Sequence, residues 1–381
     1  MQHLFRTFTK RFFIISNIIV AALFLLACCT VFLNPDTYWF ISLLGVTFVA
    51  WLLMNIGFVI FWLLFRSKWA LLSFVVLLIG WKQINACFAF HPFSKFDQKK
   101  QPNSIRIMQW NVARWDEMNK YWAPGKVSKR KKMFEYIANN DIDILCVEEF
   151  FESNNTKEFA KNIPYITDSL NFPYHYFAMD HRRWDSLYET GVCIFSKYPI
   201  VDTFRKRYGG PDSLKNNESF IWTDIDVDGK RIRVFATHMQ SMLFGGKEYR
   251  QIKQLRQSTD SAVENTKGII KKFRRAYDLR MHQVNVIKPV LDNSPYPEIM
   301  CGDFNEVPNS YIYFQMKGDR QDAFSKKAFG ISRTLSFISP TLRIDYILPN
   351  KQFKVLQYKS DKVALSDHYP VITDLQLPEG N

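Results

Sequence analysis

Charged residues are sparse up to residue 90 and frequent after residue 95, so the chain reads as a lipid-compatible part followed by a globular part. Residues 12–33 form an apolar run interrupted only by Ser16, Asn17 and Thr30. At 1.5 Å per residue that run covers about 33 Å, enough to cross a hydrocarbon core of about 30 Å. Residues 38–65 make a second run, broken only by small or uncharged groups such as Asn55. Residues 69–90 make a third, whose clean portion ends at Trp81 before Lys82, Gln83 and Asn85. There the Lys82 stem must snorkel to the interface while the helix continues to Phe90. The pattern predicts three spans.

Short loops set the orientation. Arg6, Lys10 and Arg11 precede the first run, Arg66 and Lys68 fill the second turn, and Asn34-Pro35-Asp36-Thr37 carries no positive charge. Positive loops stay in the cytoplasm, so three spans predict an integral membrane protein of bacterial inner-membrane type with its globular part on the extracytoplasmic side. With two spans that part would face the cytoplasm. Leu25-Leu26-Ala27-Cys28 also resembles a bacterial lipoprotein cleavage box, a competing reading that leaves the domain on the same side.

The polar stretch 91–103, with two prolines and three lysines, reads as a linker, and 104–381 as the globular domain. Short apolar runs at 104–110, 142–147, 175–179 and 191–195 predict strands, and 126–140 a basic amphipathic helix. A hairpin follows at 221–227 and 232–237 around Asp228-Gly229-Lys230. Residues 247–291 predict two helices broken near 265–267. Strands at 298–301, 343–348, 353–358 and 371–375 complete an α/β pattern with mixed or antiparallel sheets.

The net charge of +14 sits mostly on the globular part and suits a polyanion or an anionic lipid surface. None of the six cysteines has CxxC or His–Cys spacing, so neither a zinc motif nor a disulfide framework is indicated.

Acidic and amide residues recur at strand ends, where loops display functional groups on a rigid frame. The strand 107–110 ends at Asn111, 143–147 at Glu148-Glu149, 234–237 at His238, and 299–302 at Asp303-Phe304-Asn305; Asp345 and Ser366-Asp367-His368 open later strands. Phosphodiester hydrolysis needs carboxylate oxygens for a hard cation, a base for water, and donors for the charge that develops on phosphate. Arg182 and Arg183 beside Trp184, together with Arg343, are the candidate substrate-binding cations.

In this order the motifs resemble the endonuclease/exonuclease/phosphatase superfamily. They are Trp-Asn, Asp-Ile-Leu-Cys-Val-Glu-Glu, Gly191-Val-Cys-Ile-Phe-Ser196-Lys197-Tyr198-Pro199, Thr-His, Gly-Asp-Phe-Asn, Ile-Asp-Tyr-Ile and Ser-Asp-His. The resemblance covers residues 105–375 and implies a four-layered α/β sandwich of two packed mixed sheets flanked by helices. It implies magnesium or manganese, with Glu149 the main ligand and Asn111 and Asp367 sharing the metal. Asp303 would then activate water, with Asn305 orienting phosphate or nucleophile. His368, oriented by Asp367, would contact phosphate, His238 would serve the leaving group, and Asp345 would orient one of the histidines. Glu148 departs from the Gln of many relatives.

Two enzymatic readings follow: a membrane-anchored nuclease, favoured by the charge and taken as the leading expectation, and a sphingomyelinase-like or other phospholipid or inositol-phosphate hydrolase, favoured by the anchor. A catalytically dead membrane scaffold is a third. The expected partners are the phosphodiester substrate and the membrane, and no motif calls for an obligate protein partner.

Overall fold

The computed structural model describes residues 2–119, 125–183, 185–209, 218–241, 262–337 and 339–378. Two compact units emerge, Met1–Phe88 with Val307–Gln315, and Ala89–Glu306 with Met316–Asn381.

The first unit is helical: α1 (Gln2–Cys29), α2 (Pro35–Val46), α3 (Phe48–Leu64), α4 (Ala70–Ile79) and α5 (Trp81–Cys87). Within α1, Phe5–Cys29 is long and apolar enough to cross a membrane. The other four helices form two bent pairs, α2–α3 at 53° and α4–α5 at 71°, giving up to three crossings if each pair is one span. The expected single helix over 69–90 therefore ends at Ile79 and resumes at an angle. Gly80 sits at the break, where a Cβ would lie 2.6 Å from the Phe24 ring, so only glycine lets α4 end against α1. The polar groups of this unit pair with one another. Ser73 Oγ donates to Asn17 Oδ1 at 2.5 Å, and the Ala27 carbonyl in the last turn of α1 accepts from both Thr30 Oγ1 and Asn309 Nδ2 at 2.8 Å.

The second unit has thirteen strands among the described residues, counting Phe88 as the start of β1 (Phe88–Phe90). The others are β2 (Ser104–Asn111), β3 (Ile144–Ser153), β4 (Tyr174–Arg183), β5 (Tyr188–Ser196), β6 (Ile200–Arg207), β7 (Ser219–Val227), β8 (Lys230–His238), β9 (Glu298–Asp303), β10 (Phe329–Ile331), β11 (Asp345–Pro349), β12 (Lys354–Ser360) and β13 (Val371–Gln376). β1 and β10 form a small two-stranded pair, and two larger sheets run β12-β13-β2-β3-β5-β4 and β11-β9-β8-β7-β6. Both are mixed, because β2 runs parallel to β3 and β8 parallel to β9 while the remaining neighbours are antiparallel.

The period-2 alternation of these strands builds two cores. Ile105, Ile107, Ile144 and Cys146 join Ile221, Val234, Ala236 and Ile299 between the sheets. Met108, Trp110, Leu145 and Val147 point the other way, onto Met133, Phe134 and Ile137 of the helix Arg130–Ala138. This is the expected pair of packed mixed sheets flanked by helices.

Three expectations change. The helix Ala262–Leu291 runs unbroken through 265–267, and the expected helical stretch 247–261 lies outside the described residues. A helix interior tolerates Gly268 at a cost of about 1 kcal/mol, which the buried face at Tyr277, Arg280, Val284 and Ile287 outweighs. The stretch 91–103 is no free linker. Arg106, fully buried, donates to the carbonyls of Asp97 and Gln98, and Lys100 pairs with Asp143 at 2.6 Å. Finally β6, with charged residues on both faces, lies outside the expected strands.

Candidate active site

The strand ends converge at one end of the sandwich, as the pairing register requires. Asn111 lies opposite Glu148, His238 opposite Asp303, and Asp345 opposite Asp303. Close approach of β8 to β9 depends on Gly302, where a Cβ would stand 2.3 Å from the Thr237 carbonyl. In β3 the register shifts between Val147 and Phe150, and Glu149 takes a left-handed φ of 46°. That bulge breaks the alternation, so Glu148 turns into the protein and Glu149 toward the site.

At this end side-chain hydrogen bonds run between the sheets. Asn111 Nδ2 donates to Asp303 Oδ2 at 3.1 Å, and Gln109 Nε2 donates to both Glu148 Oε2 (2.7 Å) and Asp345 Oδ1 (3.0 Å). Asp303 stands between two imidazoles, with the Nε2 atoms of His238 and His368 each 3.7 Å from its Oδ2. Its other oxygen accepts from the Asn305 backbone N–H at 2.8 Å, and Asn305 Nδ2 donates to the Met239 carbonyl. His368 Nδ1 pairs with Asp345 Oδ2 at 2.9 Å.

The orienting carboxylate of His368 is thus Asp345, which corrects the expected role of Asp367. The Asp367 carboxylate instead accepts from Ser366 Oγ and lines a separate cavity of about 440 Å³ with Asp116 and Lys129. Its neighbour in sequence had the right chemistry but points along another side of the chain.

Electrostatics separates the acids. Burial pushes Glu149 up, but Arg114, His238, His368 and the Asn111 hydrogen bond outweigh it, and the net shift is downward. Glu149 is ionised, with Arg114 Nε 3.2 Å from its Oε2. Burial raises Asp303, and Asp345 adds to the rise against the pull of the histidines. Glu148 is raised well above the carboxylate range, by burial first and then by Asp345. Burial lowers both site histidines, yet Asp345 and Asp303 raise His368 on balance, and Asp303, Glu218 and Glu149 raise His238.

Asp303, Asp345 and His368 bring one ligand atom each within 4.8 Å of one another, close enough to hold a metal ion. The chemistry of the trio argues for a different job. The His368 Nδ1 is spent on Asp345, and a ring held as imidazolium donates protons rather than lone pairs. The ionised carboxylate of Glu149 beside the Asn111 carboxamide is the better fit for a hard, oxygen-seeking cation.

The arginines divide. Arg343 is buried, pairs with Asp322 at 2.8 Å and stacks on Phe324 and Tyr346, so it serves the core, not a substrate. Arg182 spends its charge on Glu189. Arg183 lines a cavity of about 510 Å³ that also exposes Glu149 and His238. Trp184 lies outside the described residues. Sequence reasoning missed Arg114, His181 and Gln109. Gln109 could have been found, since it lies two positions before Asn111 on the same face of β2.

A family model described as "Endonuclease/Exonuclease/phosphatase family" matches residues 108–368, and one described as a domain of unknown function matches 10–87. Sphingomyelinase C of Leptospira interrogans is 24% identical over 51% of this chain and 32% of its own length. Phospholipase C of Staphylococcus aureus is 26% identical over 39% of this chain and 47% of its own. The chain thus spans a third to a half of the length of these curated relatives. The crystal structure of an endonuclease/exonuclease/phosphatase from Beutenbergia cavernae, 18% identical with a TM-score of 0.51 over 72% of each chain, shares the fold.

Proposed function

The chain belongs to the endonuclease/exonuclease/phosphatase family, and from that premise we propose that it is a metal-dependent phosphodiesterase cleaving phospholipid headgroups at a membrane surface. The observation that carries the chemistry is Asp303, buried between two imidazoles and joined to Asn111 across the sheets.

A buried carboxylate raised toward neutrality is matched to taking a proton from water as the water oxygen attacks phosphorus. Asn305 holds the turn that presents Asp303. The His368 imidazolium, held by Asp345, donates to a phosphate oxygen as charge builds there. His238 returns a proton to the leaving alkoxide when the P–O bond breaks. The products are an alcohol and a phosphomonoester. Glu149 and Asn111 would hold the divalent cation, magnesium or manganese, which neutralises the phosphate charge.

The lipid substrate is favoured by the apolar helix Phe5–Cys29 and by relatives named as a sphingomyelinase and a phospholipase. This moves the emphasis from the nuclease expected from charge alone. The net charge of +14 still favours nucleic acid as a second reading. The helices would anchor the chain with three crossings and the catalytic unit outside the cytoplasm. Incubating the full chain in detergent with magnesium and either phospholipid and sphingomyelin vesicles or plasmid DNA and RNA decides between the readings. Diacylglycerol or ceramide release supports the first, and cleavage of nucleic acid alone overturns it.

A further inference from the structure

We propose that the cavity beside Glu149 is a second anion subsite, in which Arg183, Arg114 and His181 take a phosphate group that the substrate carries beyond its scissile diester. The proposal rests on reading the Glu149–Asp303 site as a phosphodiesterase and names the class of headgroup that site prefers.

The cavity, about 510 Å³, is lined by Arg114, His181 and Arg183 and also by Glu149 and His238. A group seated there is within the span of one small headgroup from the reacting phosphate. Its volume suits a polar headgroup rather than a single ion.

The charges are arranged for an anion. Three acids line the same cavity, and all are engaged: Glu149 pairs with Arg114 at 3.2 Å. Asp180 pairs with Arg205 at 3.1 Å and accepts from Ser219 Oγ, and Glu218 accepts from Gln283. Arg183 has no carboxylate within ion-pair distance among the described residues, whereas its neighbour Arg182 is held by Glu189 at 2.6 Å. Guanidinium groups are the side chains best shaped to take two phosphate oxygens at once.

The backbone presents Arg114 by a costly route. Ala113, Arg114, Trp115 and Asp116 all have left-handed φ, between 45° and 60°. Non-glycine residues hold such a conformation only where their surroundings fix it. Here Trp115 is fully buried, edge-on to Phe134 and Phe150, and that anchor turns Arg114 out onto the cavity and against Glu149.

The test has a binding arm and a turnover arm, both with the full chain in detergent. Inorganic pyrophosphate in EDTA is titrated by calorimetry, which removes any cation from Glu149 as the anchor. Arg183→Ala should weaken binding about tenfold and Arg183→Lys less, with Lys197→Ala, on a distant surface pair with Asp141, as the control. Equal binding by the native chain and Arg183→Ala overturns the subsite. In the second arm, diacylglycerol release is compared between phosphatidylglycerol phosphate and phosphatidylglycerol in mixed micelles with magnesium. A higher kcat/KM for the doubly phosphorylated lipid, with a ratio that collapses in Arg183→Ala, supports the proposal. Turnover of both lipids at a ratio unmoved by Arg183→Ala overturns it. Pyrophosphate binding that follows Arg183 with no turnover of either lipid sinks the phospholipid reading and leaves the anion site standing.

Discussion

His368 Nδ1 and Asp345 Oδ2 stand 2.9 Å apart, and the carboxylate comes from the start of β11, not from the adjacent Asp367. Two strands of different sheets are thereby joined at the imidazole, because β11 lies in the five-stranded sheet and His368 precedes β13 of the six-stranded one. The ring's tautomer and tilt are set by the fold of the sandwich.

Asp345→Asn should cut turnover by about a hundredfold or more, since the amide fixes the wrong tautomer. The pH profile should also move. The folded-state pKa of His368 is raised by Asp345 and Asp303, so the imidazolium is present below that pKa and lost as pH rises through it. Removing the Asp345 charge lowers it, and the alkaline limb of kcat/KM should shift down by about one unit or more. An unmoved limb would show that His368 is not the group that titrates.

Chelation provides a second check. EDTA should abolish turnover, and magnesium or manganese should restore it. Glu149→Gln should raise the magnesium concentration for half-activity by at least about tenfold. Full activity in metal-free buffer would remove the cation from the account.

Glu148 bears on stability. Its folded pKa is raised by burial and by Asp345, so folding favours the protonated acid and stability falls as pH rises above the ordinary glutamate range. Glu148→Gln keeps an acceptor for Gln109 and removes that penalty. Its Tm should exceed the native value at neutral pH, and the gain should vanish below about pH 4. A Tm gain independent of pH would mean that charge is not the cause.

Membrane orientation is open to a reporter. A phosphatase fused after Tyr369 should be active and a fluorescent protein that folds only in the cytoplasm should stay dark. Bright fluorescence at that position would place the catalytic unit inside the cell.

Much of this architecture was legible in the sequence because its signals are local. The apolar runs of β2, β3 and β9 each end at polar residues, which marked Asn111, the Glu148-Glu149 pair and Asp303 directly. The rest depends on contacts across sheets. Asp345 and Asp367 offer the same carboxylate, and only the crossing of β11 with the chain before β13 selects the partner of His368. The bulge at Glu149 and the left-handed turn at Arg114 leave no periodic trace. Strand β6 was invisible because Asp202 and Lys206 share a face with Phe204 while Arg205 and Arg207 lie on the other, which hides any alternation. The bend at Gly80 turns on a Phe24 ring brought there by α1, which no window around residue 80 contains.

The central claim is that Asp303 activates water for phosphodiester cleavage, and diacylglycerol release from phospholipid vesicles by the native chain and Asp303→Asn measures it most directly. The account predicts magnesium-dependent release by the native chain and a loss of about 10²–10⁴-fold in kcat for the variant, with KM little changed and the circular dichroism spectrum intact. Near-native turnover by a folded Asp303→Asn would contradict it.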